Sequence, residues 1–527
     1  DEVALVLFNS LPWAWEGVVT ADVDLPVDFL NRWALAQRPQ PPAALTADSD
    51  YLDIYRWRPH LEWAGNPPIQ PDPAFRSLQI RALGERDALP VQLESQARMT
   101  QTYSQESGHT LQQVVRARVS FRASIPALGY ATYAVRPDAK PDKPAAQRYP
   151  ANVLENAHLR VEIAADGTLT VTDRATGEVY RRLGYFEDGG DAGDGYNYSY
   201  PARDRVYNTL GLAPRISRLA DGPAVQRYAI EYDWPLPAAL DDRRQQRQEA
   251  LVTCGLRVVV SLAADAPRVD VEVTFDNRAR DHRLRMLFPS DVATDASRSD
   301  TAFDVVTRPV VPVPVSHEAW EEDPPATYPM QSWMDLSDGQ RGLCLITEGL
   351  PEFEVLDTEA REVAVTLLRA VAYLAGTKAD LQTANAGGGP NLATPEAQIQ
   401  RTLTYRLAIL PHRGTWDAAE VWRQALAHNT APQSVVVERS LFRAGTQPPA
   451  LGFLAIEGRN AVLSAVKRAE AGDALIVRLY NPSDDPVEAT ITLAQAIRDA
   501  AFVGLDEQPT NEAAPLLSDD GRQVQLG

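Results

Sequence analysis

Cysteine and long apolar runs are scarce in this 527-residue sequence. Its two cysteines, Cys254 and Cys344, each lie inside an apolar run, which indicates buried thiols in a reducing compartment and not a disulfide framework. No stretch approaches the roughly 20 apolar residues that cross a bilayer, and no charged-then-apolar leader opens the chain. The sequence therefore predicts a cytoplasmic protein that has no membrane partner.

Lysine is almost missing, since it occurs only at Lys140, Lys143, Lys378 and Lys467. The formal net charge is −20 at pH 7. Such a chain repels phosphate backbones and anionic lipid surfaces. We therefore expect neither nucleic acid nor a membrane surface as a partner.

Local catalytic motifs are also lacking. The seven histidines never fall in the His-x-x-x-His or His-x-Asp spacing of metal ligands, and no Gly-x-Ser-x-Gly elbow, phosphate loop or dinucleotide fingerprint occurs. His158 and His282 lie at predicted strand edges, where a hydrogen-bonded structural role is expected. The sequence thus predicts no metal site and no catalytic residue within this chain.

The most unusual stretch that is present runs from Gly184 to Asp204. It holds five glycines, four acids between Glu187 and Asp194, and five aromatic residues, a mixture that suits neither helix nor strand. We interpret it as a shaped loop that carries rings and carboxylates, the groups that stack on and hydrogen-bond to a sugar. A purely structural β connection and a calcium loop remain as alternatives.

The chain is too long for one hydrophobic core, which stops growing at about 250–300 residues. Period-two apolar patterns recur throughout and predict an all-β protein. We expect a small β-sandwich at 1–137, a proline-rich linker, a very large sandwich at 151–433 and a small C-terminal β domain at 434–527. The one predicted helix spans Trp416 to His428, with Thr415 as its cap.

Several motifs occur in an order that resembles a known family. They include Val-Leu-Phe-Asn-Ser-Leu-Pro-Trp ending at Trp13, Phe186-Glu-Asp-Gly-Gly-Asp-Ala-Gly-Asp-Gly-Tyr-Asn and Asp281-His-Arg-Leu-Arg-Met-Leu-Phe-Pro. Together they are similar to the C-terminal, β-rich half of glycoside hydrolase family 38 α-mannosidases, most of all the bacterial branch. The resemblance implies a galactose-mutarotase-like supersandwich for the large unit, and a bacterial, cytoplasmic hydrolase.

The resemblance also implies what lies outside this sequence. In that family an N-terminal α/β barrel carries a zinc ion, held in part by a His-x-Asp pair, and an aspartate nucleophile. None of these elements occurs here, and the chain opens on Asp1 directly with a strand. We therefore expect a fragment that is inactive alone, whose partners are an α-mannoside glycan and the barrel of the same polypeptide, with a homo-oligomer possible.

Four residues are expected to bind substrate. Gly195-Tyr196 resembles a Gly-Ala-Tyr segment that reaches the family's active site, and Arg369 resembles an arginine of a later strand. Asp191 and Asp194 join them as the acids of the same loop. Two other functions remain open: a non-catalytic carbohydrate-binding β module, and a mutarotase-like epimerase, which would need its own acid/base histidine and glutamate.

Overall fold

The computed structural model describes residues 2–27, 29–30, 75–105, 108–138, 150–316, 324–376, 389–438 and 447–526. Most of the predicted proline-rich linker lies outside these residues. Within them, no helix is long and apolar enough to cross a membrane.

The described residues up to 138 form six strands, because apolar residues alternate along them. These strands are β1 Val3–Asn9, β2 Trp15–Pro26, β3 Ser77–Ala82, β4 Val91–Gln105, β5 Gly108–Ile125 and β6 Gly129–Asp138.

The middle of the chain supplies nineteen more strands and one short 3-10 helix, Pro395–Gln398. The strands are β7 Val153–Glu155, β8 Leu159–Ile163, β9 Leu169–Asp173, β10 Val179–Leu183, β11 Tyr185–Gly190, β12 Tyr207–Asn208, β13 Arg215–Asp221, β14 Val225–Pro237, β15 Leu251–Ala263, β16 Val269–Asp276, β17 His282–Pro289, β18 Ala296–Thr301, β19 Asp304–Pro309, β20 Thr327–Pro329, β21 Trp333–Ser337, β22 Arg341–Glu348, β23 Glu352–Val355, β24 Glu362–Ala370 and β25 Thr402–Arg413.

A helix and eight short strands complete the described chain. They are α1 Val421–Asn429, β26 Gln433–Glu438, β27 Ala450–Gly452, β28 Leu454–Glu457, β29 Val462–Arg468, β30 Leu475–Tyr480, β31 Ala489–Leu493, β32 Leu516–Leu517 and β33 Gln523–Leu526. The predicted all-β fold is confirmed.

The N-terminal unit is a sandwich of two antiparallel sheets. One has the order β26-β1-β6-β27, with β3 also on β6, and the other has the order β2-β5-β4. Their inward residues, among them Leu5, Val23, Ile80 and Phe121, are fully buried in one shared core. Burial of apolar side chains between two sheets is what holds such a unit together.

The large unit is built from three sheets. A six-stranded sheet, β12-β11-β17-β24-β23-β20, and a nine-stranded sheet, β13-β14-β15-β16-β25-β22-β21-β18-β19, share one hydrophobic core with the small sheet β10-β9-β8-β7. Phe288 from the first sheet and Trp234 and Phe275 from the second are buried there. The strand β17 is buried along its whole length, because both of its faces are covered.

The chain returns to the first sandwich after the helix. Strand β26 pairs with β1, and β27 pairs with β6, so both belong to the N-terminal sheet although they come after the helix in sequence. The remaining strands form two small sheets, β28-β31-β33-β32 and β29-β30. The segment predicted as an independent C-terminal domain from residue 434 thus shares its first two strands with the N-terminal unit.

The predicted helix was placed too early. Residues 416–420 form turns, and the helix begins at Val421, after Glu420 in a left-handed conformation with φ 48°. Thr415 does not cap it, since its hydroxyl donates to the Asp417 carboxylate at 2.5 Å. The apolar pattern was still informative, because Trp416, Trp422 and Ala425 are buried.

One buried side chain joins the first two units. The Gln92 amide of β4 donates from Nε2 to the Val225 carbonyl at 2.9 Å, and its Oε1 accepts from the Ala224 and Val225 amides at 3.2 and 3.0 Å. Gly222 leaves the space for it, since a Cβ there would lie 2.1 Å from the Gln92 amide group. The sandwich is therefore fixed to the turn that precedes β14.

A buried acid and histidine stabilise the nine-stranded sheet. His412 Nε2 lies 2.6 Å from Asp335 Oδ1, and Asp335 Oδ2 is buried with no hydrogen-bond partner among the described residues. Burial lowers the pKa of His412, but the Asp335 charge and hydrogen bond outweigh it and raise that pKa above its ordinary value.

This pair predicts how stability depends on pH. Because the folded-state pKa of His412 is raised, its contribution is fully present below about pH 6.5 and is lost as pH rises through the raised pKa. His412→Gln should cost roughly 1–3 kcal/mol of unfolding free energy at pH 6, with a smaller difference from wild type at pH 9.

The measurement is the melting temperature of both proteins between pH 6 and 9. His158→Gln is the matched control, because His158 is exposed. Parallel pH curves for wild type and His412→Gln would contradict the assignment.

Candidate functional site

The glycine-rich stretch begins as a strand, which corrects the expectation that it suits neither helix nor strand. Tyr185–Gly190 is β11, paired along its whole length with β17 and at its edge with β12. Phe186 faces the core and Tyr185 the outer side of the sheet, and both are buried. The loop itself follows Gly190.

Asp191 is the first residue of this loop and is completely buried. Its carboxylate accepts from Arg369 Nε at 2.8 Å and Nη2 at 3.3 Å, and from the Gly193 amide at 2.9 Å. The same Arg369 Nη2 donates to the carbonyls of Asp194 and Asn197 at 2.9 and 2.8 Å. The Arg369 guanidinium of β24 thus bonds to the loop at three places, Asp191, Asp194 and Asn197.

Asp194 is also completely buried. Its Oδ1 accepts from the amides of Tyr196 and Asn197 at 2.8 and 2.9 Å, and its Oδ2 accepts from the Gly376 amide at 2.5 Å. Because these bonds use both oxygens, the carboxylate shapes the turn and ties it to the chain after β24.

Two glycines allow the turn to close. A Cβ at Gly193 would lie 2.1 Å from the Asn197 carbonyl oxygen, and a Cβ at Gly195 would lie 2.9 Å from the Leu374 carbonyl oxygen. Gly195 also donates its amide to the Leu374 carbonyl at 3.0 Å. Any larger residue would therefore move the backbone that carries Tyr196.

Tyr196 is the predicted site residue that the loop presents to solvent, with 55% of its surface exposed. Its hydroxyl faces Gly389, where a Cβ would lie 3.0 Å away. The structure thus brings all four predicted residues together but gives them different positions: Tyr196 lies on the surface, while Asp191, Asp194 and Arg369 lie beneath it and bond to the loop.

Three further residues support the loop and were missed in the sequence. Arg244 donates to Asp281 Oδ1 at 2.8 Å and to the Asp191 carbonyl at 3.1 Å. The Asp281 carbonyl accepts from the Asp191 amide at 2.9 Å, and its carboxylate is held by Gln398 at 2.9 Å. No spacing rule signals these contacts, because they join segments that are far apart in sequence.

A second buried charge cluster lies under β11. The Asp188 carboxylate binds Arg247 and His282, whose Nδ1 is 2.5 Å away. His282 Nε2 is 3.0 Å from Asn277 Oδ1, and the Asn277 amide nitrogen donates to the carbonyls of Gln398 and Ile399. His282 is therefore hydrogen-bonded through both nitrogens.

The electrostatics of this cluster favour the ionised carboxylate. Burial opposes ionisation of Asp188, but the charges of His282 and Arg247 outweigh it and hold the pKa of the carboxyl below its ordinary value. Nearby, burial raises the pKa of Tyr198 to about 12, and Arg283 lies 3.4 Å from the centre of its ring. Asp188 and His282 lie on the core face of the sheet with Phe186 and Leu284, whereas Arg283 and Tyr198 lie on the opposite face, under the loop.

Metal ligands do not gather here. Across the described ranges, no group of three or more His, Cys, Asp and Glu side chains is placed to hold a metal ion. In particular, Asp191 and Asp194 bind backbone amides and an arginine, which leaves no carboxylate pair open for a cation such as calcium.

Comparison with family models identifies these domains. The model of the glycosyl hydrolases family 38 C-terminal domain matches residues 154–377, and that of the family 38 C-terminal beta sandwich domain matches residues 460–526. The chain carries the C-terminal domains of glycosyl hydrolase family 38. The Tyr196 loop and Arg369 both lie within the first of them.

Relatives of this family 38 chain are longer than it. A curated protein of Halalkalibacterium halodurans named "Putative mannosylglycerate hydrolase" is 31% identical over 345 residues, which cover 63% of this chain and 36% of that protein. The chain therefore spans about a third of the curated relative.

Solved structures show the same fold. An α-mannosidase from Enterococcus faecalis V583 superposes with a TM-score of 0.75 at 23% identity, over 100% of this chain and 56% of that one. A family 38 protein from Enterococcus faecalis gives a TM-score of 0.76 at 22% identity, with 100% and 58% covered.

The Asp191–Arg369 pair should be needed for the stability of this family 38 domain. Asp191→Asn leaves a mostly buried guanidinium without its counter-charge, which should cost about 3–5 kcal/mol of unfolding free energy. Glu231→Gln is the control, since Arg215 of that surface pair is 76% exposed, and it should cost less than about 1 kcal/mol.

Denaturant unfolding of both variants measures this difference. Hydrogen exchange of the amides of residues 193–199 should also accelerate in Asp191→Asn alone. Equal stability of the two variants, with an unchanged exchange pattern, would show that the ion pair does not hold the loop.

Proposed function

We propose that this chain is the C-terminal β half of a family 38 hydrolase that cleaves α-mannosides with retention, and that it completes the sugar site with Tyr196. The observation that carries the proposal is the exposed Tyr196 ring on a loop whose backbone is fixed by buried charges. A ring held in this way can stack on or hydrogen-bond to a sugar with little loss of conformational entropy.

The four predicted residues have two different roles in this proposal. The Tyr196 phenol hydrogen-bonds to a mannose hydroxyl. Asp191, Asp194 and Arg369 position that phenol, because their polar atoms bond to the loop backbone. This role replaces direct sugar contact for the two aspartates, whose side chains are fully buried.

The catalytic groups are proposed to lie elsewhere in the polypeptide. Retaining hydrolysis needs two carboxylates about 5–5.5 Å apart at the scissile bond. The carboxylates of Asp191 and Asp194 are instead buried and hydrogen-bonded to Arg369 and to backbone amides. The described residues do not fit the zinc ion that the family resemblance implies. The greater length of the relatives is consistent with a further catalytic domain.

A second candidate is the hydrolysis of mannosylglycerate, an α-mannoside with an acidic aglycone. The 31% identity to the Halalkalibacterium halodurans protein, whose name specifies that activity, favours it. Both candidates place the mannose ring at the Tyr196 loop. They differ only in the group that the enzyme releases.

The full-length protein tests both candidates. Turnover of p-nitrophenyl α-mannoside and of mannosylglycerate should occur and should stop on treatment with a zinc chelator, and NMR should show the α-anomer of mannose formed first. A β-mannoside is the control. Turnover of neither α-mannoside, or release of the β-anomer, would refute the proposal. Residues 1–527 alone should hold no stoichiometric zinc and show no turnover.

Tyr196→Phe in the full-length protein tests the residue itself. Loss of one hydrogen bond that tightens in the transition state should lower kcat/KM by about tenfold, equivalent to about 1.4 kcal/mol, while the melting temperature stays unchanged. Tyr200→Phe is the matched control, because Tyr200 lies in the same loop and is 48% exposed.

Two results would count against this assignment. Equal kinetics for Tyr196→Phe and wild type would remove Tyr196 from the sugar site. A fall of several degrees in the melting temperature of Tyr196→Phe, with unchanged kinetics, would give Tyr196 a structural role.

A further inference from the structure

An open cavity of about 660 Å³ lies between the N-terminal sandwich, the start of helix α1 and the small C-terminal sheets. The turn after β1, the turn between β5 and β6, the start of α1, and the strands β28 and β31 contribute to its walls. Its volume is within the range of about 300–1,000 Å³ that is common for small-molecule sites. It shares no residue with the Tyr196 loop.

Aromatic rings line the cavity and its edge. Trp13 and Phe453 are lining residues, and Phe453 is 54% exposed. The centres of the Phe453 and Tyr130 rings are 6.5 Å apart, and those of the Tyr130 and Phe8 rings are 6.3 Å apart. Phe8 is 44% exposed. We call Phe8, Tyr130 and Phe453 the aromatic platform; it extends the cavity across the outer face of the N-terminal sheet.

The same cavity carries charges of both signs that are not neutralised by each other. Within the described part of the chain, the carboxylates of Glu420 and Glu457 have neither an ion pair nor a hydrogen bond, and the Arg423 guanidinium has no ion pair. Arg423 instead lies 4.5 Å from the Trp13 ring centre, where the cation–π contact fixes it at the wall.

The backbone at this wall is unusual as well. Glu420 has φ 48°, the left-handed region that is costly for a residue with a side chain. Glu420 immediately precedes α1, and in this conformation both Glu420 and Arg423 line the cavity.

These groups select one class of ligand. Arg459 also lines the cavity, but its guanidinium lies 3.4 Å from the Asp417 carboxylate. The Glu420 and Glu457 carboxylates disfavour an anion, and the Arg423 guanidinium disfavours a cation. An apolar ligand would remove water from these three charges without replacing the hydrogen bonds that the water makes. A neutral polyhydroxyl ligand with apolar ring faces satisfies every group: its hydroxyls donate to Glu420 and Glu457, accept from Arg423, and its rings stack on the platform. Sugars have this chemistry.

We propose that the cavity and the aromatic platform form a second, non-catalytic binding site for an oligosaccharide, separate from the Tyr196 loop. Sugar units stack along Phe8, Tyr130 and Phe453, and the end of the chain enters the cavity beside Arg423. Such a site anchors a polymeric glycan while another of its residues is at the catalytic centre.

Affinity electrophoresis of the full-length protein in gels that contain yeast mannan tests this proposal; the choice of mannan rests on the proposed function. The wild type should be retarded, and Phe453→Ala and Arg423→Ala should each raise the apparent Kd for mannan at least fivefold. Phe303→Ala is the matched control, since Phe303 is 56% exposed and lies outside the cavity and the platform. Hydrolysis of p-nitrophenyl α-mannoside should be unchanged in all three variants.

Each other outcome has a defined meaning. Unretarded wild type, or equal retardation of wild type, Phe453→Ala and Arg423→Ala, overturns the second site. A change in oligomeric mass of Phe453→Ala in light scattering, with mannan binding unaffected, shows that the platform is a subunit interface and also overturns it. If the protein binds mannan through these residues but hydrolyses no α-mannoside, the proposed function is refuted and the second binding site is supported.

Discussion

The buried ion pair between Asp191 and Arg369 is the interaction on which the candidate site depends. Taking two charges out of water is costly unless their attraction and their remaining hydrogen bonds compensate. Here the arginine makes two bonds to the carboxylate and two to loop carbonyls, and the carboxylate accepts a backbone amide as well. These hydrogen bonds join the ion pair to the backbone of the loop, and they thereby hold the backbone that carries Tyr196 in the observed conformation.

The sheet explains why such charges can be buried at this place. Arg369 in β24 lies directly opposite Arg283 in β17, which in turn lies opposite Gly189 in β11. Glycine leaves room above these arginines for Tyr198, whose ring lies 3.4 Å from the Arg283 guanidinium. Residues of the same strands that point the other way, such as Leu284, belong to the apolar core. The alternation of the strands thus places Arg283 and Arg369 under the loop, and places Leu284 on the core face together with the paired Asp188 and His282.

Strands with regular alternation could be predicted from the sequence, and parts of the site could not. The long strands β14 to β16 follow apolar patterns, because half-buried strands need them. The pattern fails for β11, since glycine and aspartate are poor strand formers and pairing with β17 decides its conformation. Tyr196 and Arg369 were predicted from a family resemblance. Arg244 and Asp281 were missed, because their contacts depend on tertiary structure.

The junction of the three units follows from packing between tryptophans. Trp13 of the N-terminal unit meets Trp422 of α1 edge-on at 5.9 Å, and Trp333 meets Trp416 at 5.6 Å. The Trp422 indole also donates to Asn460 of the C-terminal segment at 3.0 Å. Because one helix contacts all three units, the angle between them is fixed by large buried surfaces and not by linkers. The same packing positions the wall of the cavity beside Trp13, where Arg423 lies 4.5 Å from the Trp13 ring centre.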